Sequence, residues 1–196
     1  EYDRITPADS AIVLVDHHPG VLAMVGSLPA AVITANVATL ARLGEELGGL
    51  KLLVTSTREN LEFLGTNLPE IRAAAPKAYE SRVRRAGTLN AFDDPAFVTA
   101  VKDLNRPNLV MAGLLTDVCL FNTAASAVAA GYRVILVADA SGTATALGDA
   151  VTWERLRSIG AEVVTTYGIL FELYSDLSTP EGQQAEAIAA ASVPQA

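Results

Sequence analysis

The chain carries a series of continuous apolar runs, each about the length of one strand, separated by stretches of helical spacing. The runs lie at residues 10–16, 51–57, 109–113 and 132–139, and a shorter one spans 162–167. They lack the polar alternation of a half-exposed strand. Such runs mark strands buried on both faces, as in parallel sheets covered by helices. Between them, residues 28–47 place Val32, Val37, Leu40, Leu43 and Leu47 at helical intervals, and Gly48 and Gly49 end the pattern. Asp93, Asp94 and Pro95 open a helix running to about Leu104, and residues 146–159 and 168–174 read as two more.

A short helix is expected at 69–74, a short strand at 78–83, and irregular connections at 58–69 and 84–92. After Pro180 the chain turns Gln- and Ala-rich, and is expected either to dock on a neighbouring subunit or to fray. The alternation of strands and helices gives an α/β fold: a three-layer α/β/α sandwich with a mostly parallel, Rossmann-like sheet, in one domain over residues 1–196. Right-handed crossovers would bring Asp16, Cys119 and Asp139 to one edge of that sheet. Ligand sites of such sheets lie at the carboxyl ends of the strands.

Composition narrows the function classes. A formal net charge of −8 opposes a general nucleic-acid binder, which needs a basic face. No apolar run reaches the roughly 18–20 residues of a membrane span, and Glu1-Tyr2-Asp3-Arg4 shows no signal-peptide pattern. With a single cysteine, no intrachain disulfide is available, so a cytoplasmic protein is expected. Hydrophobic residues make up 51% of the chain, enough for a full core and for further burial in an oligomer.

That one cysteine, Cys119, follows a buried run and a Gly113 turn, where a helix begins. A thiol there feels the positive end of the helix dipole, which lowers its pKa. The unpaired N–H groups of the same turn can face a developing oxyanion. A lone Cys in an apolar, Ala-rich neighbourhood is usually an ordinary small core residue. Asp16 could accept the thiol proton or merely cap a loop. Arg84 and Arg85 are the cations at hand, and two adjacent arginines in extended chain cannot both point inward. His17 and His18 are the only histidines, so a histidine-rich metal site cannot be completed, and no phosphate-binding glycine pattern occurs. No metal and no cofactor are expected.

Asp16 after its apolar run, the stretch 84–92, and Gly113-Leu114-Leu115-Thr116-Asp117-Val118-Cys119 resemble the isochorismatase-like cysteine hydrolase superfamily. The segments 15–20, 85–92 and 139–143 are most similar to its YcaC-like branch, and the likeness runs from about Ile5 to Tyr174. The resemblance implies a catalytic triad of Asp, Lys and Cys. Asp16 and Cys119 match it, while an arginine stands for the lysine, Arg85 first and Arg84 second. It implies a cis peptide at Leu114–Leu115 and an oxyanion hole from the N–H groups of Leu115 and Cys119.

It also implies a homo-oligomer, often an octamer, acting on a small molecule. The metal-binding histidine pair of nicotinamidases has no counterpart in Thr57-Arg58-Glu59-Asn60. The function expected is hydrolysis of a C–N bond, of the amide type, through a Cys119 thioester. The alternatives are a binding or scaffold oligomer whose site has decayed, and a redox-sensing thiol. Pocket-lining candidates are His18, Phe63, Leu89, Phe92 and Phe121, each as readily a packing residue.

Overall fold

The structure, a computed structural model, describes residues 3–192. Glu1 and Tyr2 and the end of the tail, 193–196, lie outside the described residues. In chain order the elements are β1 (Ser10–Val15), α1 (Pro19–Leu22), α2 (Ala30–Glu46), β2 (Lys51–Thr57), α3 (Pro69–Ala74), α4 (Pro76–Glu80), β3 (Val83–Arg85) and α5 (Pro95–Leu104). There follow β4 (Asn108–Gly113), a π-helical turn (Thr116–Leu120), α6 (Phe121–Ala129), β5 (Arg133–Val137), α7 (Ala146–Ser158), β6 (Glu162–Val164), α8 (Thr166–Leu173) and α9 (Pro180–Ser192).

Every strand pairing is parallel, and the sheet order is β3-β2-β1-β4-β5-β6. The unbroken apolar runs are explained by a core on each face. Ile12, Leu14, Val110, Ala112, Ile135 and Val137 pack with α2, α8 and α9 on one side. Ala11, Val13, Val15, Leu109, Met111, Val134 and Leu136 pack with α5, α6 and α7 on the other. Successive strand residues point to opposite faces, so a sheet covered twice needs apolar residues at every position. The α/β sandwich read from the sequence is therefore the fold observed.

Chain order reverses between β1 and β4, which pair along their whole lengths from Ser10–Asn108 to Val15–Gly113. Such a reversal opens a crevice beyond the carboxyl ends of the two strands. Asp16 leaves β1 there, and the turn holding Cys119 leaves β4 there.

Two local expectations are corrected. Residues 78–83 do not form a strand: α4 occupies Pro76–Glu80, and the strand is confined to Val83–Arg85. Pro76 suits a first helical turn. Glu45, from α2, accepts from the N–H groups of Lys77 (3.2 Å) and Ala78 (3.4 Å), a cap supplied by a distant element. The last strand stops at Val164 rather than Tyr167, because Thr165 accepts from the Gly168 N–H and starts α8. The Gln- and Ala-rich stretch forms α9, which packs on its own chain. Ala185, Ile188 and Ala189 are buried in the core layer of α2 and α8, and the Tyr167 hydroxyl donates to the Ala189 carbonyl at 3.0 Å. Among the described residues no helix is long and apolar enough to cross a membrane.

Candidate active site

The crevice holds a pocket of about 290 Å³, lined by Asp16, His18, Thr57, Arg58, Cys119 and a largely apolar wall. Asp16 has φ 56°, in the left-handed region, which aspartate tolerates better than most residues. Its N–H donates to Thr55 O (3.1 Å) and its carbonyl accepts from His18 N–H (2.8 Å). This tight bend turns the carboxylate into the sheet edge, where Asp16 is 1% exposed.

Arg85 meets it there. One guanidinium nitrogen donates to both Asp16 oxygens, another donates to the Thr88 carbonyl, and Nε donates to Thr55 Oγ1 at 3.1 Å. Thr55 in turn donates to Val83 O at 2.9 Å, so the seat of the arginine is itself fixed. Strand alternation sends Arg84 the other way: its side chain is 58% exposed and pairs with Glu59 at 3.5 Å. The inward arginine is thus Arg85.

Cys119 lies in the π-helical turn that precedes α6, 6% exposed, and shares the pocket wall with Asp16. The depressed thiol pKa expected at a helix start is not found. Burial pushes the Cys119 pKa up, and the charge and hydrogen bond of Asp16 add to the rise, while Arg85 and Arg58 pull it back only in part. Desolvation and a neighbouring carboxylate both disfavour a thiolate, and here they outweigh the cations.

The peptide bond Leu114–Leu115 is cis, as the resemblance implied. Leu115 begins the turn, and the surrounding backbone is pinned by Leu114 N–H to Val15 O (3.1 Å) and Thr116 N–H to Gly142 O (2.9 Å). Thr143 Oγ1 donates to Asp117 at 2.5 Å, holding the far side of the same turn.

His18 is buried in the pocket wall. Its Nδ1 sits 2.9 Å from the Gly65 carbonyl and so carries the proton. That leaves Nε2 to accept from Thr57 N–H at 3.3 Å, 4.0 Å from Asp16 Oδ1. The tautomer is assigned from these partners. Phe63 and Leu89 line the pocket mouth and are exposed, together with Met24.

Phe92 and Phe121 do not line this pocket. Phe92 stacks edge-on against Phe97 with centroids 5.3 Å apart, and Phe121 lies under the Arg155 guanidinium at 4.0 Å. Asp139 also faces elsewhere: its carboxylate accepts from the N–H and hydroxyl of Thr166, both at 2.8 Å. Thr57 and Arg58 were not singled out from the sequence. Both stand at or just past the carboxyl end of β2, the same position rule that singled out Asp16. Among the described residues no group of three His, Cys, Asp or Glu side chains converges as a metal site.

A buried carboxylate clamped by a guanidinium, the one cysteine and a turn entered through a cis peptide thus meet at the crevice between β1 and β4. The chain belongs to the isochorismatase domain family, whose profile matches residues 10–167, and within it to the YcaC-like branch. It is 34% identical over 175 residues to the probable hydrolase YcaC of Escherichia coli, covering 89% of this chain and 82% of that protein.

Among solved structures, YcaC from Pseudomonas aeruginosa, with hexane-2,5-diol and covalent acrylamide, superposes with a TM-score of 0.90. It is 31% identical, with 99% of this chain and 94% of that one covered. The E. coli YcaC structure, described as an octameric hydrolase of unknown specificity, gives a TM-score of 0.87 at 32% identity, covering 98% and 90%.

Proposed function

We propose that this protein, read as one domain on the single sheet, is a cysteine hydrolase cleaving a C–N bond of a small amide. The observation that carries the reading is that the Cys119 thiol and the carboxylate of the buried Asp16–Arg85 pair line one pocket. Cys119 Sγ attacks the amide carbonyl carbon as its proton passes to Asp16. The resting thiol is neutral, so proton removal and attack go together, which is general-base catalysis.

The oxyanion forms against the N–H groups of Leu115 and Cys119; loss of one such donor costs about 3–4 kcal/mol in other hydrolases. Asp16 then returns the proton to the departing amine, the C–N bond breaks and a thioester remains. Water, deprotonated by Asp16, attacks the thioester, and the acid leaves as Cys119 regains its proton. Arg85 stays protonated throughout. It holds Asp16 in place through the two-oxygen contact.

The kinship with proteins named as hydrolases supports the class. A homo-oligomer is part of the proposal: one relative is octameric, and the apolar residues Met24, Phe63 and Leu89 stand exposed around the pocket mouth. The test is a panel of small primary and secondary amides, with ammonia or amine release as the readout and mass spectrometry for the acyl-enzyme. Turnover lost in Cys119→Ser, with a trapped acyl adduct on Cys119 in the parent protein, is the expected result. No turnover of any amide and no adduct would overturn the reading.

The raised Cys119 pKa favours one alternative, a binding or scaffold protein whose site no longer turns over. That same observation weighs against a redox sensor, whose cysteine needs thiolate character and access.

A further inference from the structure

Arg58 is the feature that the triad leaves unused. Three described non-glycine residues have positive φ: Asn105, which ends α5, and Asp16 and Arg58, which follow β1 and β2 at the pocket. Arg58, at φ 49°, has no local side-chain chemistry to favour that conformation, unlike Asp or Asn. The surrounding structure holds it there. Its N–H donates to Arg85 O at 3.0 Å, its carbonyl accepts from Leu61 N–H at 3.0 Å, and its side-chain stem passes beside Gly87.

The guanidinium has no carboxylate partner among the described residues. The next residue, Glu59, is already taken by Arg82 at 2.6 Å and Arg84 at 3.5 Å. In the pocket wall the other ionised group, Asp16, is paired with Arg85, so Arg58 is the uncancelled charge. Beside it, Thr57 lines the same pocket, and its buried hydroxyl lacks a hydrogen-bond partner. A buried polar group without a partner is uncommon enough to need a reason. The rest of the wall is mainly apolar: Val21, Leu64, Leu114 and Val118 among others.

We infer that Arg58 and the Thr57 hydroxyl form an anion subsite, and that the molecule bound carries a carboxylate besides its scissile amide. The inference deepens the amide-hydrolase reading and rests on it for the amide, though not for the anion. A guanidinium and a hydroxyl donor match the two oxygens of a carboxylate. On a chain of formal net charge −8, an anion is repelled at long range, so recognising one requires a local uncancelled cation.

The test compares two nearly isosteric reagents on the full-length protein. Iodoacetate is anionic and iodoacetamide neutral. With each, the Cys119 sulfur displaces iodide, one S–C bond replaces one C–I bond, and the thiol proton passes to Asp16 or buffer. The ratio of the two rates cancels any effect common to the thiol itself. Expected is an iodoacetate preference about fivefold or more above that of an uncharged cysteine peptide at the same pH. It should collapse in Arg58→Gln, persist in Arg58→Lys, fall about two- to threefold in Thr57→Val and weaken in high salt.

A ratio equal to that of the free peptide, or one unmoved by Arg58→Gln, overturns the subsite. Neutralisation of Arg58 by a neighbouring subunit would give that same overturning result. Running the amide panel beside it separates the failures. Neutral amides cleaved without an anion preference sink the subsite alone. An anion preference with no amide cleaved sinks the amide reading alone.

Discussion

One guanidinium nitrogen of Arg85 donates to both carboxylate oxygens of Asp16, and the pair is sealed from solvent, with the side chains 0% and 1% exposed. The arrangement keeps a negative charge beside a thiol without leaving that charge uncompensated. Its other donors are spent on Thr55 and Thr88, so the arginine has one seat. The relationship makes Asp16 a positioned acceptor and Arg85 a fixed cation that never gives up its proton.

Removing Arg85 should therefore cost stability as well as activity. Arg85→Gln leaves the Asp16 carboxylate buried and unpaired, a change that typically costs about 3–5 kcal/mol. Arg85→Lys keeps the charge but loses the fork to Thr55 and Thr88, and should cost less. Urea unfolding midpoints and amide turnover, measured on both variants, check the order: parent, then Lys, then Gln.

Asp16→Asn should move two properties of Cys119 in opposite directions. Asp16 raises the thiol pKa through its charge and its hydrogen bond, and Arg85 lowers it. With the carboxylate gone, the thiol pKa falls, so alkylation by iodoacetamide at pH 8 speeds up. Amide hydrolysis falls by about 100-fold or more, since the proton acceptor is lost. In the parent protein, alkylation is slow at pH 7 and climbs beyond pH 9. Slower alkylation in Asp16→Asn would contradict this electrostatic account.

His17 should govern acid sensitivity. It is fully buried, its Nε2 is 2.9 Å from the Ala140 carbonyl, and its Nδ1 has no partner. Burial lowers its pKa from 6.5 to about 4, against the Ala140 hydrogen bond and with help from His18. Between those values the unfolded chain binds the proton and the folded one does not. Stability is thus whole above pH 6.5 and is lost as pH falls toward 4, by about 3 kcal/mol from this group. His17→Gln, which keeps an N–H donor, should flatten that slope in unfolding measurements from pH 7 to 4.

Gly20→Ala should disturb the pocket wall from behind. A Cβ on Gly20 would lie 2.0 Å from the Phe63 carbonyl oxygen and 2.9 Å from Leu64 Cα, both backbone atoms. The segment bearing Phe63 and Leu64 must shift, at a cost of about 1–3 kcal/mol. Thermal unfolding should fall by several degrees and KM should rise, whereas Gly48→Ala, which meets nothing within 4 Å, should change neither.

The sequence by itself determined the sheet, its parallel sense and the strand ends that carry Asp16 and Cys119. These follow from periodicity and turn chemistry, which are local: a run such as Ile12-Val13-Leu14-Val15 can satisfy both of its faces only between two apolar layers. The cis bond at Leu114–Leu115 and the arginine in the lysine's place came from the resemblance rather than from any local rule.

Tertiary structure alone decided what depends on distant partners. Arg85 turns inward and Arg84 outward because Thr55, Thr88 and Asp16 converge on one and Glu59 on the other. Helix α4 exists where a strand was expected because Glu45 reaches its first N–H groups. Phe92 and Phe121 were drawn away from the pocket by Phe97 and Arg155. The Cys119 thiol rises rather than falls because the same packing that brings Asp16 to it also removes water. A helix dipole is legible from a short stretch of chain, but desolvation is a property of everything packed around it.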